Sequence, residues 1–160
     1  MRTIPLCNGE GVIVDLAIVD DDDWPSLSQY SWHKNDTGYA VRGDYSTGKL
    51  VIVRMHRQIM GASAGQEIDH INGKRLDNRR SNLRFCTRTE NMRNKRKPRS
   101  GTSQFKGVYW LKANSKWRAK IKVGEKHVCL GCYVDERDAA RAYNAAAEKH
   151  FGEFARLNII

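Results

Sequence analysis

The chain has 160 residues, 40% of them hydrophobic and 29% charged, and a formal net charge of +10. This length allows one domain or two small ones, and the composition excludes collagen-like and largely disordered chains. No run approaches the roughly 18 apolar residues of a membrane span, and residues 1–12 lack the apolar segment of a secretory signal. We therefore expect a cytoplasmic protein, located in a host cell if a phage encodes it, with reduced cysteines at Cys7, Cys86, Cys129 and Cys132.

The positive charge is concentrated in the C-terminal part of the chain. Residues 1–68 carry 6 basic and 9 acidic side chains, whereas residues 69–160 carry 22 basic and 9 acidic ones. A field of this sign attracts phosphate polyanions and weakens with salt. A basic surface kept only for solubility is the alternative, but the asymmetry favours contact between residues 69–160 and a nucleic acid.

Residues 1–64 alternate short strand patterns with turns. Strands are predicted over 11–19, 39–42 and 50–53, a solvated turn and helix start over the acidic run 20–23, and a short helix over 55–60 that ends at Gly61. His33 and His56 are interpreted as packing residues. The segment 1–64 is thus predicted to be a small β-rich scaffold.

Residues 65–94 have the pattern of two short strands followed by a helix. The first strand ends near Ile68, the second covers 83–86, and Thr87 and Glu90 form a capping box at the start of the helix. Residues 93–104 are polar, with five basic side chains and both a Pro and a Gly. We interpret residues 95–104 as a basic linker.

Residues 105–160 predict a three-stranded antiparallel sheet and one helix. Strands are expected over 105–110, 117–123 and 127–134, with a turn at 124–125. In the central strand the odd positions are apolar, whereas Arg118, Lys120 and Lys122 form a cationic face that we expect to be exposed. An Ala-rich helix follows from residue 135 and ends at Gly152. Trp110 and Trp117 are interpreted as core residues.

The 65–94 unit contains the residue types that phosphodiester hydrolysis requires. Such a reaction uses a base near a water molecule and a cation with oxygen ligands. His70 is a base with a pKa near neutrality, Asp69 is a hard oxygen ligand, and Asn82 and Asn91 supply amide oxygens. A hairpin closed by a helix could bring these four side chains together, although their spacing alone does not establish it.

The run DHINGKRLDNRRSNLRFCTRTENMRN closely resembles the HNH family of homing and phage endonucleases, whose catalytic unit is a ββα-metal fold. The resemblance covers roughly residues 66–94. It implies that His70 is the general base, that Asp69 and Asn91 ligate one Mg²⁺ or Mn²⁺ ion, and that Asn82 orients the imidazole. Because the last position is Asn91 rather than His, this is an H-N-N variant, and its amide oxygen favours a hard cation over zinc.

The remaining polar residues of this unit have two interpretations. Asp77 and Asn78 are expected to shape the loop by hydrogen bonds rather than to touch the metal. Arg79, Arg80 and Arg84 are candidate phosphate contacts, and solvated side chains are the alternative for each.

The run from residue 103 to 158, with its K-G-V opening, its strand at Trp117 and the segment AARAYNAAA, resembles the APETALA2-type DNA-binding domain. A sheet of this kind fits the major groove, where Arg and Lys reach guanine acceptors. Tyr109, Lys120 and Cys129 depart from the plant pattern, so the plant recognition sequence is not expected to transfer. A zinc site at Cys129 and Cys132 is disfavoured because a second pair is lacking. The expected DNA contacts are Lys106, Tyr109, Arg118, Lys120, Lys122, His127 and Tyr143, with Arg93, Lys95, Arg96 and Lys97 following the phosphates.

The sequence therefore predicts an α+β protein in four parts: the scaffold 1–64, a ββα-metal nuclease unit 65–94, the linker 95–104 and a DNA-binding domain 105–160. The expected activity is that of a site-directed DNA endonuclease of homing or phage type, with Mg²⁺ or Mn²⁺ as cofactor and double-stranded DNA as partner. A monomer is favoured, with no protein partner and no membrane contact. The alternative is a DNA-binding regulatory protein with an inactive HNH-like unit.

Overall fold

The computed structural model describes residues 1–95, 97 and 101–160. The chain divides into two compact units, Met1–Arg88 and Thr89–Ile160. Within the described ranges, no helix has the length and apolar character needed to cross a bilayer. Short sheets and a few helices alternate along the chain, which confirms the predicted α+β class.

The first unit, all of whose residues are described, consists of three small antiparallel sheets and short helices. β1 pairs with β2, β4 lies between β3 and β5, and β6 pairs with β7. The strands are β1 (Arg2–Cys7), β2 (Ile13–Val19), β3 (His33–Lys34), β4 (Ala40–Asp44), β5 (Val51–Arg54), β6 (Glu67–His70) and β7 (Leu83–Cys86), and the helices are α1 (Trp24–Leu27) and α2 (Met55–Ile59).

One apolar core joins the strands of this unit. Ile4, Leu6 and Trp32 from the N-terminal segment pack in the same cluster as Ile68 of β6 and Leu83 of β7. Burial of large apolar side chains is the main stabilising contribution in such a small unit. The strands that carry the candidate site are therefore supported by the N-terminal segment. The separate domain boundaries at 64/65, 94/95 and 104/105 stay predictions.

The second unit contains the predicted three-stranded antiparallel sheet and its helix. The strands β8 (Val108–Leu111), β9 (Lys116–Val123) and β10 (Lys126–Tyr133) pair in the order β10-β9-β8, and the helices are α3 (Arg88–Asn94), which starts at the boundary of the units, and α4 (Glu136–Phe151). The carboxylate of Asp135 accepts a hydrogen bond of 2.6 Å from Arg137 N and caps α4.

The inner face of the sheet packs closely on α4 because the facing side chains are small. Ala119 of β9 and Ala139 and Ala140 of α4 are fully buried in one cluster with Phe105 and Val108. β8 begins three residues later than predicted, because the backbone at Gly107 turns with a φ of +75°. The ring of Tyr143 lies over that glycine, in the place that a Cβ at residue 107 would occupy.

Candidate active site

The candidate site is built on the β6–β7 hairpin and the loop between its strands. In the antiparallel register, Asp69 lies opposite Arg84 and His70 lies opposite Leu83. The chain then turns at Gly73, whose N–H donates to the carbonyl of His70 at 2.8 Å and whose φ is +69°. Glycine tolerates this conformation better than other residues. The hairpin therefore places Asp69 and His70 next to each other at the end of β6.

His70 is buried and held on several sides. Its Nε2 lies 3.2 Å from Oδ1 of Asn78, and the rings of His56 and Tyr39 lie 5.0 Å and 5.8 Å from its own, measured between centroids. Burial lowers the pKa of His70 below its ordinary value, whereas the hydrogen bond with Asn78 and the charge of Asp69 act in the opposite direction. A lowered pKa keeps the imidazole neutral at neutral pH, which is the form that can accept a proton.

Asn82 fixes the loop rather than the imidazole. Its Nδ2 donates to the carbonyl of Asp77 at 2.7 Å, its Oδ1 accepts from the N–H of Asn72 at 3.0 Å, and its carbonyl accepts from the N–H of Ile71 at 2.9 Å. The structure thus places Asn78, and not Asn82, against the ring of His70. The sequence interpretation treated Asn78 as a loop residue, since nothing in its local pattern distinguishes it from Asp77.

Asp69 is buried, with 6% of its surface exposed, and its Oδ2 accepts hydrogen bonds from Arg84 Nε at 3.1 Å and Nη2 at 2.8 Å. Asn91, the second predicted metal ligand, lies on α3 in the second unit. Its convergence with Asp69 and His70 stays a prediction.

The three arginines proposed as phosphate contacts in this unit each form an ion pair with an aspartate. Arg79 bonds to both carboxylate oxygens of Asp77 at 2.7 Å, and Arg84 pairs with Asp69 as described. Arg80 binds Asp23 at 2.9 Å and 2.7 Å. In the free protein these ion pairs order the loop and the hairpin, and contact of the three arginines with phosphate stays a prediction.

The acidic run of residues 20–23 is an anchor for the loop, and not only a solvated turn. Besides the ion pair of Asp23, the carboxylate of Asp20 accepts the backbone N–H of Arg80 at 2.7 Å. Sequence interpretation missed this contact because 57 to 60 residues separate the partners.

Arg75 is a further cation near the candidate base. Its Nη1 donates to the carbonyl of Thr37 at 2.5 Å, and its guanidinium lies 5.0 Å from the ring centroid of Tyr39. Its charge is close enough to contribute to the lowered pKa of His70. Nothing in the sequence pattern distinguished Arg75 from the other basic residues of the loop.

In the second unit, the outer face of the sheet carries the predicted basic residues. Tyr109, Arg118 and Cys132 lie opposite each other on the three strands, and hydrogen bonds with Cys132 and Tyr109 raise the pKa of Arg118. Lys122 and His127 form the next exposed pair. Arg118 and Lys120 are half-buried, so the predicted cationic face is only partly exposed.

Two residues of this unit that were predicted to contact DNA, Tyr143 and Lys106, are in contact with other parts of the protein. Tyr143 is buried in the core, where desolvation raises its pKa to about 12, and its contact with DNA stays a prediction. Nζ of Lys106 donates to the carbonyl of Arg93 and, at 2.8 Å, to that of Lys95. Burial, with a smaller effect of Arg156, lowers the pKa of Lys106 to about 8. The structure assigns Lys106 to holding the end of α3.

The four basic residues predicted to follow the phosphates differ in their surroundings. The guanidinium of Arg93 lies 4.6 Å from the ring centroid of Phe151, Lys95 is exposed, and Nζ of Lys97 donates to the carbonyl of Ser103. Arg96 lies outside the described residues.

The donor set fits a hard cation. In the part of the chain that the structure describes, no group of three or more His, Cys, Asp or Glu side chains is placed to hold a metal ion. Mg²⁺ is commonly bound by one or two protein carboxylates, waters and substrate phosphates. Asp69 with an amide oxygen is compatible with this arrangement.

A family model described as HNH endonuclease matches residues 55–93, which cover the hairpin and the helix before it. An uncharacterised HNH endonuclease of Acanthamoeba polyphaga mimivirus is 36% identical over 147 residues, spanning 90% of this chain and 75% of the viral protein. Protein 3.8 of Escherichia phage T7 is 34% identical over 110 residues, spanning 65% of this chain and 89% of the phage protein. No solved structure matches the chain.

A second group of relatives covers the C-terminal region. An AP2-like ethylene-responsive transcription factor of Arabidopsis thaliana is 37% identical over 68 residues, which are 42% of this chain and 14% of the plant protein. The match therefore covers a small part of a much longer protein.

Proposed function

The chain belongs to the HNH endonuclease family, and we propose on that basis that it is a metal-dependent endonuclease that hydrolyses a phosphodiester bond of double-stranded DNA. The observation that carries the proposal is the arrangement at the end of β6. There a buried carboxylate, Asp69, precedes an imidazole, His70, whose orientation is restrained by Asn78 and two rings. Because the two residues are adjacent, His70 can act as a base and Asp69 as an oxygen ligand of a cation at the same phosphate group.

His70 is the general base of the proposed reaction. Its neutral imidazole takes a proton from a water molecule as the water oxygen attacks the phosphorus. The bond to the leaving oxygen breaks, and that oxygen takes a proton from solvent. Asp69 and Asn91 would hold the divalent cation, Mg²⁺ or Mn²⁺. When bound, such an ion stabilises negative charge that develops on the phosphate oxygens.

The DNA is proposed to dock on the outer face of the sheet in the second unit. Arg118, Lys120, Lys122 and His127 lie on that face, in the part of the chain that carries the positive excess. The similarity to AP2-like proteins supports a sheet that enters the major groove. Since one chain has one candidate catalytic site, nicking of one strand is the simpler product. We also propose that the enzyme cuts at a specific DNA site, as homing or phage endonucleases do.

The test is a nicking assay on supercoiled plasmid or phage DNA with Mg²⁺ or Mn²⁺. We expect wild-type protein to cut, and His70→Ala to lose at least about 100-fold in rate, because removing a general base costs about 10²–10⁴-fold. DNA affinity should be nearly unchanged, since His70 is buried in the first unit. If cleavage and affinity fall together, His70 is a structural residue and the proposed role is wrong.

A DNA-binding regulatory protein is the second candidate function. It is favoured by one observation: Arg84 already occupies Oδ2 of the proposed metal ligand Asp69. Under this alternative, wild-type protein would bind DNA, and binding would weaken with salt as expected for an endonuclease with the same basic sheet. It would cut neither plasmid nor phage DNA, with Mg²⁺ or with Mn²⁺.

A further inference from the structure

Asn78 is a buried asparagine whose side chain is only half satisfied. The residue is fully buried, and its Oδ1 lies 3.2 Å from Nε2 of His70. Its Nδ2 is also buried, and among the described residues it has no hydrogen-bond partner. The backbone N–H of Asn78 donates to the carbonyl of Ile18 at 2.8 Å, so the position is fixed independently of the side chain.

Such a side chain weakens the fold. A buried amide without an acceptor loses its hydrogen bonds to water and gains none in return. A leucine of similar size would not have this cost. Residues that violate a packing or hydrogen-bonding rule without a structural benefit are concentrated at functional sites. The imidazole of His70 is the group that the Asn78 side chain contacts.

We propose that Asn78 is the positioning residue of His70 and that it selects the tautomer of the imidazole. An amide oxygen only accepts hydrogen bonds, so Nε2 must carry the hydrogen of the neutral ring. The basic lone pair is then on Nδ1. The rings of His56 and Tyr39, which pack against His70, limit its rotation. The catalytic part of this inference rests on the proposed nuclease function, whereas the tautomer does not.

The experiment compares the full chain with Asn78→Leu and Asn78→Asp. Leucine removes the acceptor, and aspartate keeps an acceptor oxygen in the same place. Three measurements are made: thermal unfolding for the melting temperature, NMR for the side-chain ¹⁵N signals of His70, and cleavage kinetics for kcat and KM on DNA. The His70 signals are identified by their loss in His70→Ala. Asn78→Asp is assayed in alkaline buffer, where the imidazole stays neutral.

For Asn78→Leu we expect a melting temperature close to that of wild type, because the removal of the unpartnered Nδ2 offsets the loss of the acceptor for Nε2 of His70. The His70 signals should change from those of a pure Nε2–H tautomer to those of a mixture. At the same time kcat should fall about tenfold or more with KM unchanged, because groups that orient a reacting ligand have effects of this size. Asn78→Asp should keep the Nε2–H tautomer of wild type and most of its kcat.

Two results would overturn the inference. The first is an unfolded or strongly destabilised Asn78→Leu protein, which would make Asn78 a structural residue. The second is an unchanged tautomer and unchanged kcat in that variant. If wild-type protein cuts no DNA with either cation, the proposed nuclease function fails, but the NMR comparison still decides whether Asn78 selects the tautomer of His70.

Discussion

His56 packs edge to face against the candidate base and is itself a buried histidine with an unusual protonation equilibrium. Burial, with smaller effects of the charges on His70 and Arg54, lowers its pKa to about 3. In the unfolded chain an ordinary histidine has a pKa near 6.5. Between these two values the unfolded chain binds a proton that the folded protein does not, so the free energy of unfolding decreases as the pH falls through this window.

We expect this residue alone to lower the free energy of unfolding by about 1–2 kcal/mol between pH ~7 and pH ~5. The measurement is urea unfolding of the full chain at several pH values, with wild type compared with His56→Phe. Other groups, including His70, titrate in both proteins, so the difference between the two pH slopes isolates His56. Equal slopes would show that His56 has the same pKa in the folded protein as in the unfolded chain.

The residues of the site could be predicted only where a local pattern identifies them. Asp69 and His70 stand out because they are adjacent and precede an Asn-Gly turn. Asn78 could not be found in this way, because its contact with His70 depends on the path of the loop and on its backbone bond to Ile18. The same holds for Arg80, whose partners are in an acidic run far along the chain.

At the scale of elements, the contact between Gly107 and α4 determines how closely the sheet and helix of the second unit approach. The ring of Tyr143 occupies the place of a Cβ at residue 107, and the carbonyl of Lys120 lies 2.9 Å from that place. Any side chain would also be strained by the φ of +75°. The glycine is therefore required both for packing and for backbone conformation.

Gly107→Ala should destabilise the second unit by about 2–4 kcal/mol, the sum of overpacking and a strained backbone. Gly124→Ala is the matched control: its φ is +58°, but nothing lies within 4 Å of the added Cβ. We expect that control to lose only about 1 kcal/mol. Chemical denaturation followed by tryptophan fluorescence gives both values. Equal losses in the two variants would mean that the ring of Tyr143 moves aside freely.

The strands and helices were predictable where the periodicity is strong and long. β9 alternates over its whole length and β7 was predicted with its observed bounds. β1 was missed, because Pro5 argues against a strand interior, although a proline is tolerated at a strand edge. β3 has only two residues, too few for any alternation to appear.

At the scale of the whole molecule, charge is divided along the chain rather than distributed evenly. Residues 1–68 carry more acidic than basic side chains, whereas residues 69–160 carry 22 basic and 9 acidic ones. In the first unit the aspartates already neutralise Arg79, Arg80 and Arg84. The outer face of the sheet in the second unit is therefore where we expect DNA affinity to depend on single lysines.

Lys122 tests this expectation because it is exposed on that face and forms an ion pair with Glu125, whose side chain is 95% exposed. Such an exposed pair contributes little and is readily exchanged for a phosphate or a base. Lys122→Ala should weaken DNA binding by about 1–3 kcal/mol and relax the preference at one base position. Lys49→Ala removes the same charge from an exposed site in residues 1–68 and should leave the affinity unchanged.

Binding isotherms at several salt concentrations on cognate and scrambled duplexes separate the two ways in which Lys122 can act. A loss confined to the preferred duplex assigns the lysine to a base. A uniform loss, with a salt slope smaller by about 1, assigns it to a phosphate. If Lys122→Ala binds like wild type while Lys49→Ala does not, the DNA lies on the first unit, and the sheet is not the surface that positions the substrate.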